Sequence, residues 1–316
     1  MILVIGANGF LGSWLVSILD KYKIDWHGLY KSNSDNKRLE YLSKARLTCL
    51  RSSDWVHFIQ DSKPDIVVSC DWDGVANLSR NNKLLQFSNV NRVLELASIS
   101  KQIGVKKFIS FGSQAENGPI NKLAMEINYD SPTTYYGRAK VETRKALEKS
   151  FTNSDTQLIW GRIFSTYGET DNRQWLIPSM VNNFMNRKIF ELTSGEQEWS
   201  YLHAHDFSKA ILKICESSIN VGILNIGNPN TFKISEIASK IAKYMDASEL
   251  LKIGNLQIRD DQVMYLKPSV VNLNSIGWEP TIELDDGLFH YIDWARGLEN
   301  EFKGIKLTNF SYSQLK

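Results

Sequence analysis

The opening segment of the chain constrains the fold more than any other feature of the sequence. The aliphatic run MILVI is followed by GANGFLG, with glycines at positions 6, 9 and 12, and then by apolar residues at helical spacing. This order is typical of a β-strand that passes through a tight turn into an α-helix. The free amides at the start of such a helix can bind a pyrophosphate, so the segment predicts a dinucleotide site rather than a turn with only a structural role. The expected cofactor contacts here are Gly6, Asn8, Gly9, Phe10, Leu11 and Gly12.

Strand and helix patterns then alternate along the chain. Strands are predicted at residues 64–70, 105–113 and 156–164, and helices at residues 89–104 and 135–151. Alternation of this kind predicts an α/β fold with a Rossmann-type, doubly wound parallel sheet that is covered by helices on both faces. In such a sheet, cofactor and substrate meet at the carboxyl ends of the strands.

The same patterns predict two unequal domains. We expect residues 1–165 to form the dinucleotide-binding domain, and residues 206–227 to return to its sheet. Residues 166–205 and 228–316 are expected to form a smaller α/β substrate-binding domain.

Composition argues against nucleic acids and membranes as partners. Lys+Arg 37 and Asp+Glu 35 give a net charge of +2, which is too balanced for a nucleic-acid footprint. No apolar run approaches the length of a membrane span, and the N-terminus lacks the basic leader of a signal peptide, so a cytoplasmic protein is expected. The three cysteines are scattered, which indicates neither a disulfide framework nor a zinc site.

The end of the second predicted strand bears on the choice of cofactor. An NAD-selective site usually presents Asp or Glu there to the adenosine ribose, whereas this strand ends in Tyr30, Lys31 and Ser32. A cation and a hydroxyl suit a 2′-phosphate better than a bare ribose, so these residues favour NADP(H), with NAD(H) as the second choice. A solvated loop without a cofactor role is the alternative.

The segment TTYYGRAK contains a tyrosine and a lysine at a spacing that suits acid–base chemistry. Residues four apart share a face of a helix, so Tyr136 and Lys140 are expected to stand together while Tyr135 points elsewhere. An ammonium group beside a phenol lowers the phenol pKa toward a useful range. Ser113 closes a predicted strand and therefore lies at the sheet edge that faces Tyr136. The same spacing also occurs on ordinary solvated helices, so the spacing alone does not distinguish a catalytic pair from a solvated helix face.

The motifs GANGFLG, GSQAENG and YYGRAK, in this order, resemble the extended short-chain dehydrogenases/reductases that act on nucleotide-linked sugars, the NAD-dependent epimerase/dehydratase family. RIFSTYG, WSYLHAHD and LNIGNP resemble later landmarks of that family, so the similarity runs over nearly the whole chain. WDGVANLSRNN followed by GSQAENG is most similar to the reductases that make 6-deoxy or 3,6-dideoxy sugars, of which CDP-abequose synthase is one.

The resemblance implies specific roles for the three candidate catalytic residues. Ser113 would bind the reacting sugar oxygen, and Tyr136 would act as acid or base. Lys140 would lower the pKa of the tyrosine and hold the nicotinamide ribose. Further cofactor contacts are implied at Cys70, in the segment where the family usually has LAA, and at Phe164.

The resemblance also implies a set of substrate contacts. Trp199 stands where the family commonly has a basic residue that grips the diphosphate, which leaves Arg259 as the better candidate for that role. The implied substrate contacts are Ser113, Gln114, Ser165, Trp175, Trp199 and Arg259. A homodimer through the helix that carries Tyr136 is implied as well. His203 and His205 lie in the family's hinge segment, so no metal site is expected, and Asp206 is expected to cap the next helix.

Residues that are missing narrow the implied reaction. Family members that dehydrate sugars have an Asp-Glu pair directly after the catalytic hydroxyl residue, and here those positions are Gln114 and Ala115. We therefore expect hydride transfer at C4 of a nucleotide-linked deoxyhexose or related sugar, as in a 4-keto reductase of surface polysaccharide biosynthesis. An NAD-dependent C4 epimerase or C4 dehydrogenase is the alternative within enzymes. A non-catalytic dinucleotide sensor is the alternative from another class.

Overall fold

The computed structural model describes residues 1–31, 37–51, 54–127, 129–258, 262–298 and 301–302, with only the backbone at residues 305–306 and without the side chain of residue 77. Two of the predicted contacts, Ser32 and Arg259, lie outside the described residues.

Helices and strands alternate through most of the chain, as the sequence patterns indicate. The helices are α1 Phe10–Lys21, α2 Trp55–Ser62, α3 Lys83–Gln102, α4 Tyr135–Phe151, α5 Leu176–Met185, α6 Ala204–Glu216, α7 Ile234–Tyr244, α8 Val271–Ser275 and α9 Leu284–Ala295. The strands are β1 Ile2–Ile5, β2 Trp26–Lys31, β3 Leu47–Leu50, β4 Ile66–Ser69, β5 Lys107–Ser113, β6 Leu123–Ala124, β7 Gln157–Ile163, β8 Ser165–Tyr167, β9 Phe190–Leu192, β10 Glu198–Trp199, β11 Tyr201–His203, β12 Ile223–Ile226, β13 Phe232–Lys233, β14 Leu251–Ile253, β15 Tyr265–Pro268, β16 Glu301–Phe302 and β17 Ile305–Lys306.

Seven of these strands form one parallel sheet in the order β12-β7-β5-β4-β1-β2-β3. The chain moves outward from β1 through β2 to β3 and then returns to β4 on the other side of β1. The strand order therefore reverses between β1 and β4, which is where doubly wound sheets bind their ligands. The predicted fold class is confirmed.

Two apolar cores cover the faces of this sheet, because successive side chains of a strand point to opposite faces. Val4 of β1 packs with α1 and α6 through residues such as Ile18 and Ile211. Its neighbours Leu3 and Ile5 belong to the other core, which holds residues of α2, α3 and α4. Strands buried on both faces explain why the sequence shows continuous aliphatic runs rather than an alternating pattern.

The second half of the chain divides between this sheet and smaller ones. The strand β12 joins the seven-stranded sheet beside β7, with Ile223 opposite Trp160. The strands β13, β10, β15 and β6 form a separate four-stranded sheet. The division into a dinucleotide-binding and a substrate-binding domain at the stated boundaries stays a prediction. In the described part of the chain, no helix combines the length and the apolar character needed to cross a bilayer.

Candidate active site

Ser113 is held at the carboxyl end of β5 by a capping box. Its hydroxyl accepts a hydrogen bond from the backbone amide of Ala115 (3.2 Å), and its own amide donates to the carboxylate of Glu116 (2.8 Å). The short 3-10 helix Gln114–Glu116 follows directly. The reciprocal bonds fix the position at which the serine side chain leaves the sheet, because both donors of the turn are satisfied locally.

Tyr136 enters the site from the first turn of α4. Thr134 caps this helix, since its hydroxyl accepts a hydrogen bond from the amide of Gly137 (3.1 Å). The helix approaches the Ser113 turn so closely that a Cβ at Gly137 would lie 2.4 Å from the carbonyl oxygen of Ala115. Glycine at this position therefore brings the tyrosine close to the serine, whose hydroxyl acts to lower the pKa of the phenol.

Lys140 lies one turn further along α4, as the four-residue spacing predicts. Its ammonium donates to the carbonyl of Phe111 (2.7 Å) and lies 3.4 Å from the centre of the Trp72 ring and 5.7 Å from the centre of the Tyr136 ring. Burial lowers the pKa of Lys140 to about 7, although the nearby Glu116 and Asp71 oppose this shift. The lysine thus changes charge close to neutral pH.

The phenol of Tyr136 is buried, and its surroundings act on its pKa in opposite directions. Burial raises the pKa and is the largest effect. The guanidinium of Arg80, which lies 4.6 Å from the ring centre, and the hydroxyl of Ser113 both act to lower it. Because the net shift is upward, Tyr136 is a protonated phenol at neutral pH and can donate a proton.

The glycine turn after β1 has the features needed to hold a diphosphate. Gly6 adopts a φ of +80°, and a Cβ at Gly12 would lie 2.2 Å from the carbonyl oxygen of Gly6. No side chain caps the N-terminus of α1, and its first turn contains no acidic residue. Asn8, Phe10 and Leu11 are half-buried and Gly9 is exposed. The turn and the amides of the helix start therefore fit a pyrophosphate, with no carboxylate in that first turn to repel it.

Lys31 does not present an uncommitted cation at the end of β2. Its ammonium pairs with the carboxylates of Asp73 (2.6 Å) and Asp71 (3.0 Å), and Arg92 pairs with the same two residues (3.3 and 2.6 Å). Two cations and two anions neutralise each other across the end of β1. This pairing is the physical reason why the predicted preference for NADP(H) is not supported, because a 2′-phosphate would have to displace two carboxylates from Lys31.

The other predicted cofactor contacts lie near the same edge of the sheet. Tyr30 occupies the penultimate position of β2 and is half-buried. Cys70 directly follows β4, and burial raises the pKa of its thiol to about 12, so this cysteine is no nucleophile at neutral pH. Phe164 follows β7, and its amide donates to the carbonyl of Ile226 (2.9 Å).

The predicted substrate contacts are only partly brought together. Gln114 follows Ser113 directly, and Ser165 begins β8. Trp199 packs against Phe164 in a small apolar cluster, and its indole donates to the carbonyl of Val263 (2.8 Å). Its polar atom is therefore bound within the protein. Trp175 is half-buried at the position before α5.

Three further residues lie around Tyr136 that the sequence patterns do not place beside it. Trp72 packs edge-on to Tyr136, with ring centres 6.2 Å apart, and Arg80 covers the face of the same ring. Glu116 is fully buried, and burial raises its pKa against the opposing charges of Arg162 and Arg144. The segment WDGVANLSRNN carried a signal for the first two, since an aromatic and a cation stand there in an otherwise polar loop. No local pattern marks Glu116.

The expected role of Asp206 is corrected. His203 rather than Asp206 caps α6, because its imidazole accepts a hydrogen bond from the amide of His205 (3.1 Å). The carboxylate of Asp206 instead accepts the amides of Thr281 and Ile282, both at 2.8 Å. Asp206 therefore ties the loop before α9 to the start of α6, and the hydrogen bonds lower its pKa against the effect of burial.

Comparisons with known proteins agree with this geometry. The chain is 22% identical over 308 residues to UDP-glucuronic acid decarboxylase 5 of Arabidopsis thaliana. That alignment covers 91% of this chain and 86% of the relative. It is 24% identical over 129 residues to CDP-abequose synthase of Salmonella muenchen, which covers 40% of this chain and 44% of that protein. The structure of UDP-glucose 4-epimerase from Thermus thermophilus in complex with NAD matches with a TM-score of 0.80 at 19% identity, over 94% of this chain and 99% of that one.

A family model extends the agreement to most of the chain. The model of the NAD dependent epimerase/dehydratase family matches residues 2–227. That range includes the glycine turn, Ser113, Tyr136 and Lys140, and it ends just after β12. The family predicted from the three motifs is therefore confirmed, and the protein belongs to the NAD dependent epimerase/dehydratase family of enzymes.

Proposed function

We propose that this protein transfers a hydride at C4 of a nucleotide-linked hexose, and more narrowly that it reduces a 4-keto-6-deoxy sugar destined for surface polysaccharide. The observation that carries the proposal is the buried pair of Ser113 and Tyr136, which lie close together at the same edge of the sheet as the glycine turn. The relatives named above bear on the substrate class, since their names specify UDP-glucuronic acid, CDP-abequose and UDP-glucose.

Ser113 and Tyr136 each have a defined task in this reaction. A bound nicotinamide cofactor supplies the hydride. The hydroxyl of Ser113 donates to the sugar carbonyl oxygen and orients it toward the phenol of Tyr136, which is protonated at neutral pH because burial raises its pKa. Tyr136 then gives its proton to the oxygen as the carbonyl is reduced, so that no full negative charge accumulates there.

A protonated tyrosine favours reduction over oxidation. A reductase needs a general acid at C4, whereas a dehydrogenase needs the same group as a base. Burial keeps Tyr136 in the protonated form at neutral pH, which is the form that can act as this acid.

The residues after Ser113 argue against dehydration. Elimination of water needs an additional acid and base near C5 and C6, and Gln114 and Ala115 supply neither. The next acidic residue, Glu116, is fully buried and accepts hydrogen bonds from the amide of Ser113 and the indole of Trp160 (3.2 Å). Its carboxylate is therefore enclosed by the protein and stabilises the turn that follows Ser113.

We propose NAD(H) as the cofactor. Lys31 and Ser32 are the residues that favour NADP(H) in the sequence. Lys31 is neutralised by Asp71 and Asp73, while the family description and the Thermus thermophilus complex both specify NAD. NAD as the cofactor also favours the second candidate function, a C4 epimerase, because an epimerase retains NAD and regenerates it in each cycle.

The test is to incubate the purified protein with nucleotide-linked 4-keto-6-deoxyglucose and to follow oxidation of NADH and NADPH at 340 nm. The sugar should be supplied in turn as its UDP, dTDP and CDP derivatives. We expect oxidation that depends on the sugar and is faster with NADH. The matched control is Tyr136→Phe, which keeps the ring and removes the acid. It should lose activity by roughly 10²–10⁴-fold while binding the cofactor normally.

A second arm separates the epimerase. UDP-glucose is incubated with the protein and NAD, and the products are separated to detect UDP-galactose. Formation of the epimer without net change in cofactor absorbance would replace the reductase by the epimerase. A protein that binds the dinucleotide but converts no sugar in either arm would be the sensor.

We further propose a homodimer and a cytoplasmic location. The outer surface of α3 and α4 supports the dimer, because it presents a groove of about 520 Å³ together with the exposed side chain of Leu84. The groove is lined by Lys83, Phe87, Asp130, Pro132, Tyr135, Arg138, Val141, Glu142 and Lys145. An apolar side chain exposed beside such a groove is typical of a surface that meets another chain.

A further inference from the structure

Arg80 lies against the catalytic tyrosine from an element outside the expected triad. It belongs to the 3-10 helix Asn77–Asn81, which precedes α3, and its guanidinium carbon lies 4.6 Å from the centre of the Tyr136 ring. The next residue, Asn81, accepts a hydrogen bond from the amide of Tyr135 (3.4 Å), which joins this turn to the start of α4. This hydrogen bond holds the 3-10 helix that carries Arg80 against the start of the helix that carries Tyr136.

The charge of Arg80 is not used elsewhere among the described residues. Its side chain is half-buried and forms no hydrogen bond or ion pair with any of them, and its contact is the face of the Tyr136 ring. A guanidinium remains protonated at every pH at which a protein is folded. Arg80 thus supplies a permanent positive charge beside the phenol.

Lys140 is a poorer source of such a charge. Its ammonium donates to the carbonyl of Phe111 and packs on the indole of Trp72, and it is farther than Arg80 from the Tyr136 ring centre, at 5.7 Å. Burial lowers the pKa of Lys140 to about 7, so its charge is partly lost at neutral pH and lost above it. A cation that titrates at neutral pH cannot hold the phenolate at alkaline pH.

The remaining groups that face Tyr136 do not replace Arg80. Ser113, at the end of β5, contributes a neutral hydroxyl, and Trp72, from the loop after β4, contributes an uncharged ring edge. Glu116 raises the pKa of Tyr136, although this carboxylate is itself paired with Arg144 (3.6 Å) and Arg162 (3.4 Å). Arg80 is the main electrostatic influence that lowers the pKa of the tyrosine.

We propose that Arg80 is a positioning residue of this active site, whose permanent charge over the ring face stabilises the Tyr136 phenolate and so governs when the tyrosine releases its proton. This role rests on the position of the Arg80 guanidinium over the Tyr136 ring. Its consequence for turnover rests on the proposed function, because the proton released by Tyr136 is the one delivered to the sugar oxygen.

The direct test is to titrate Tyr136 in the full-length protein without substrate. Tyrosine labelled with ¹³C at the ζ carbon reports ionisation of each phenol by its NMR shift, and Tyr136→Phe identifies the signal. An opposite charge within about 4–6 Å typically shifts a pKa by roughly 1–3 units. At an alkaline pH where Tyr136 of the wild type is partly ionised, we expect Arg80→Gln to lower the ratio of phenolate to phenol about tenfold or more. Arg80→Lys should retain most of it.

Arg138→Gln is the matched control. Arg138 lies on α4 with its guanidinium carbon 5.6 Å from the ring centre of the adjacent Tyr135, so its removal deletes a similar contact on the wrong tyrosine. The Tyr136 titration should be unchanged in this variant. The proposal would be overturned if Tyr136 titrated in Arg80→Gln as it does in wild type. It would also be overturned if Arg138→Gln shifted the Tyr136 titration more than Arg80→Gln does. The tyrosines distant from the site verify in the same spectra that each variant is folded.

Activity provides the second readout. For reduction, ionised Tyr136 is inactive, so the alkaline limb of the kcat/KM profile should move to higher pH by about one unit or more in Arg80→Gln and return toward wild type in Arg80→Lys. A shifted NMR titration in a protein that reduces no sugar would support Arg80 and contradict the proposed function. A shifted limb with an unshifted titration would overturn the role given to Arg80.

Discussion

Burial of Lys140 should make the stability of the protein depend on pH above neutrality. Its folded pKa of about 7 lies below its ordinary value of 10.5, so between these pH values the unfolded chain binds more protons than the native protein. Stability then rises with pH through this window, by up to about 1.4 kcal/mol per pH unit from this group. The cost of burying the charged lysine is present in full below pH 7.

Lys140→Met removes that cost together with its pH dependence. The free energy of unfolding of the variant, relative to that of wild type, should therefore fall by about 2–3 kcal/mol between pH 7 and pH 9. Urea unfolding at both pH values measures this difference. Lys145→Met on the same helix is the control, because Lys145 is 60% exposed and its difference from wild type should not change with pH. A constant difference for Lys140→Met would contradict a lowered lysine pKa.

Glu116 should be essential for folding although it does no chemistry. Its carboxylate is the shared partner of two fully buried arginines, Arg144 and Arg162. Glu116→Ala removes the carboxylate paired with Arg162, whereas Arg144 keeps its pairs with Asp130 and Glu148, so we expect a loss of about 3–5 kcal/mol in the free energy of unfolding, mainly from the buried charge of Arg162. Glu249→Ala breaks the exposed pair with Arg187 and should cost about 0–1 kcal/mol. Equal losses in the two variants would show that the buried pair carries no special weight.

The sequence brings the proposed catalytic residues together better than it predicts their surroundings. Tyr136 and Lys140 are linked by helical spacing, and Ser113 by the end of a strand, so local patterns suffice for these three. Arg80 and Trp72 reach the tyrosine from a loop that follows a different strand, and their approach depends on how that loop folds back over the site. For the same reason Lys31 was predicted to contact a phosphate, since its partners Asp71 and Asp73 lie forty or so residues away.

At the scale of single elements, the turn between β1 and α1 should tolerate no side chain at position 12. A Cβ there would lie 2.2 Å from the carbonyl oxygen of Gly6, which is backbone and cannot move aside. We expect Gly12→Ala to cost about 1–3 kcal/mol of stability and to weaken dinucleotide binding at least tenfold, as calorimetry would show. Gly222→Ala is the control, because no atom lies within 4 Å of its added methyl group. Normal NAD binding by Gly12→Ala would contradict the assignment of this turn.

Element prediction succeeded where burial on both faces gives a long apolar run. The predicted strands at 64–70, 105–113 and 156–164 each extend one or two residues beyond an observed strand at one or both ends, and the helix predicted at 135–151 is observed as α4. The helix predicted at 89–104 instead begins at Lys83, where Asn82 provides the cap by accepting from the amide of Leu85. The edge strand β3 was not recognised, because its four residues are half-buried or exposed and carry no periodic signal.

At the scale of the whole molecule, we expect two copies to associate through α3 and α4. Leu84 is 85% exposed and lies one turn from Phe87, which lines the groove on this surface. Leu84→Arg should shift the mass measured by light scattering from two chains to one at micromolar concentration. Leu298→Arg, an exposed site after α9, should leave it unchanged. A wild-type protein with the mass of one chain would contradict the dimer.

The most direct test of the central claim is to trace the hydride. The protein is incubated with NADH deuterated at C4, on each face in turn, and with a nucleotide-linked 4-keto-6-deoxyhexose, and the sugar product is analysed by mass spectrometry and NMR. We predict one deuterium at C4 of the sugar from one face of the cofactor only, and none with Tyr136→Phe. A sugar without deuterium from either face, in a protein that binds NADH, would contradict hydride transfer at C4.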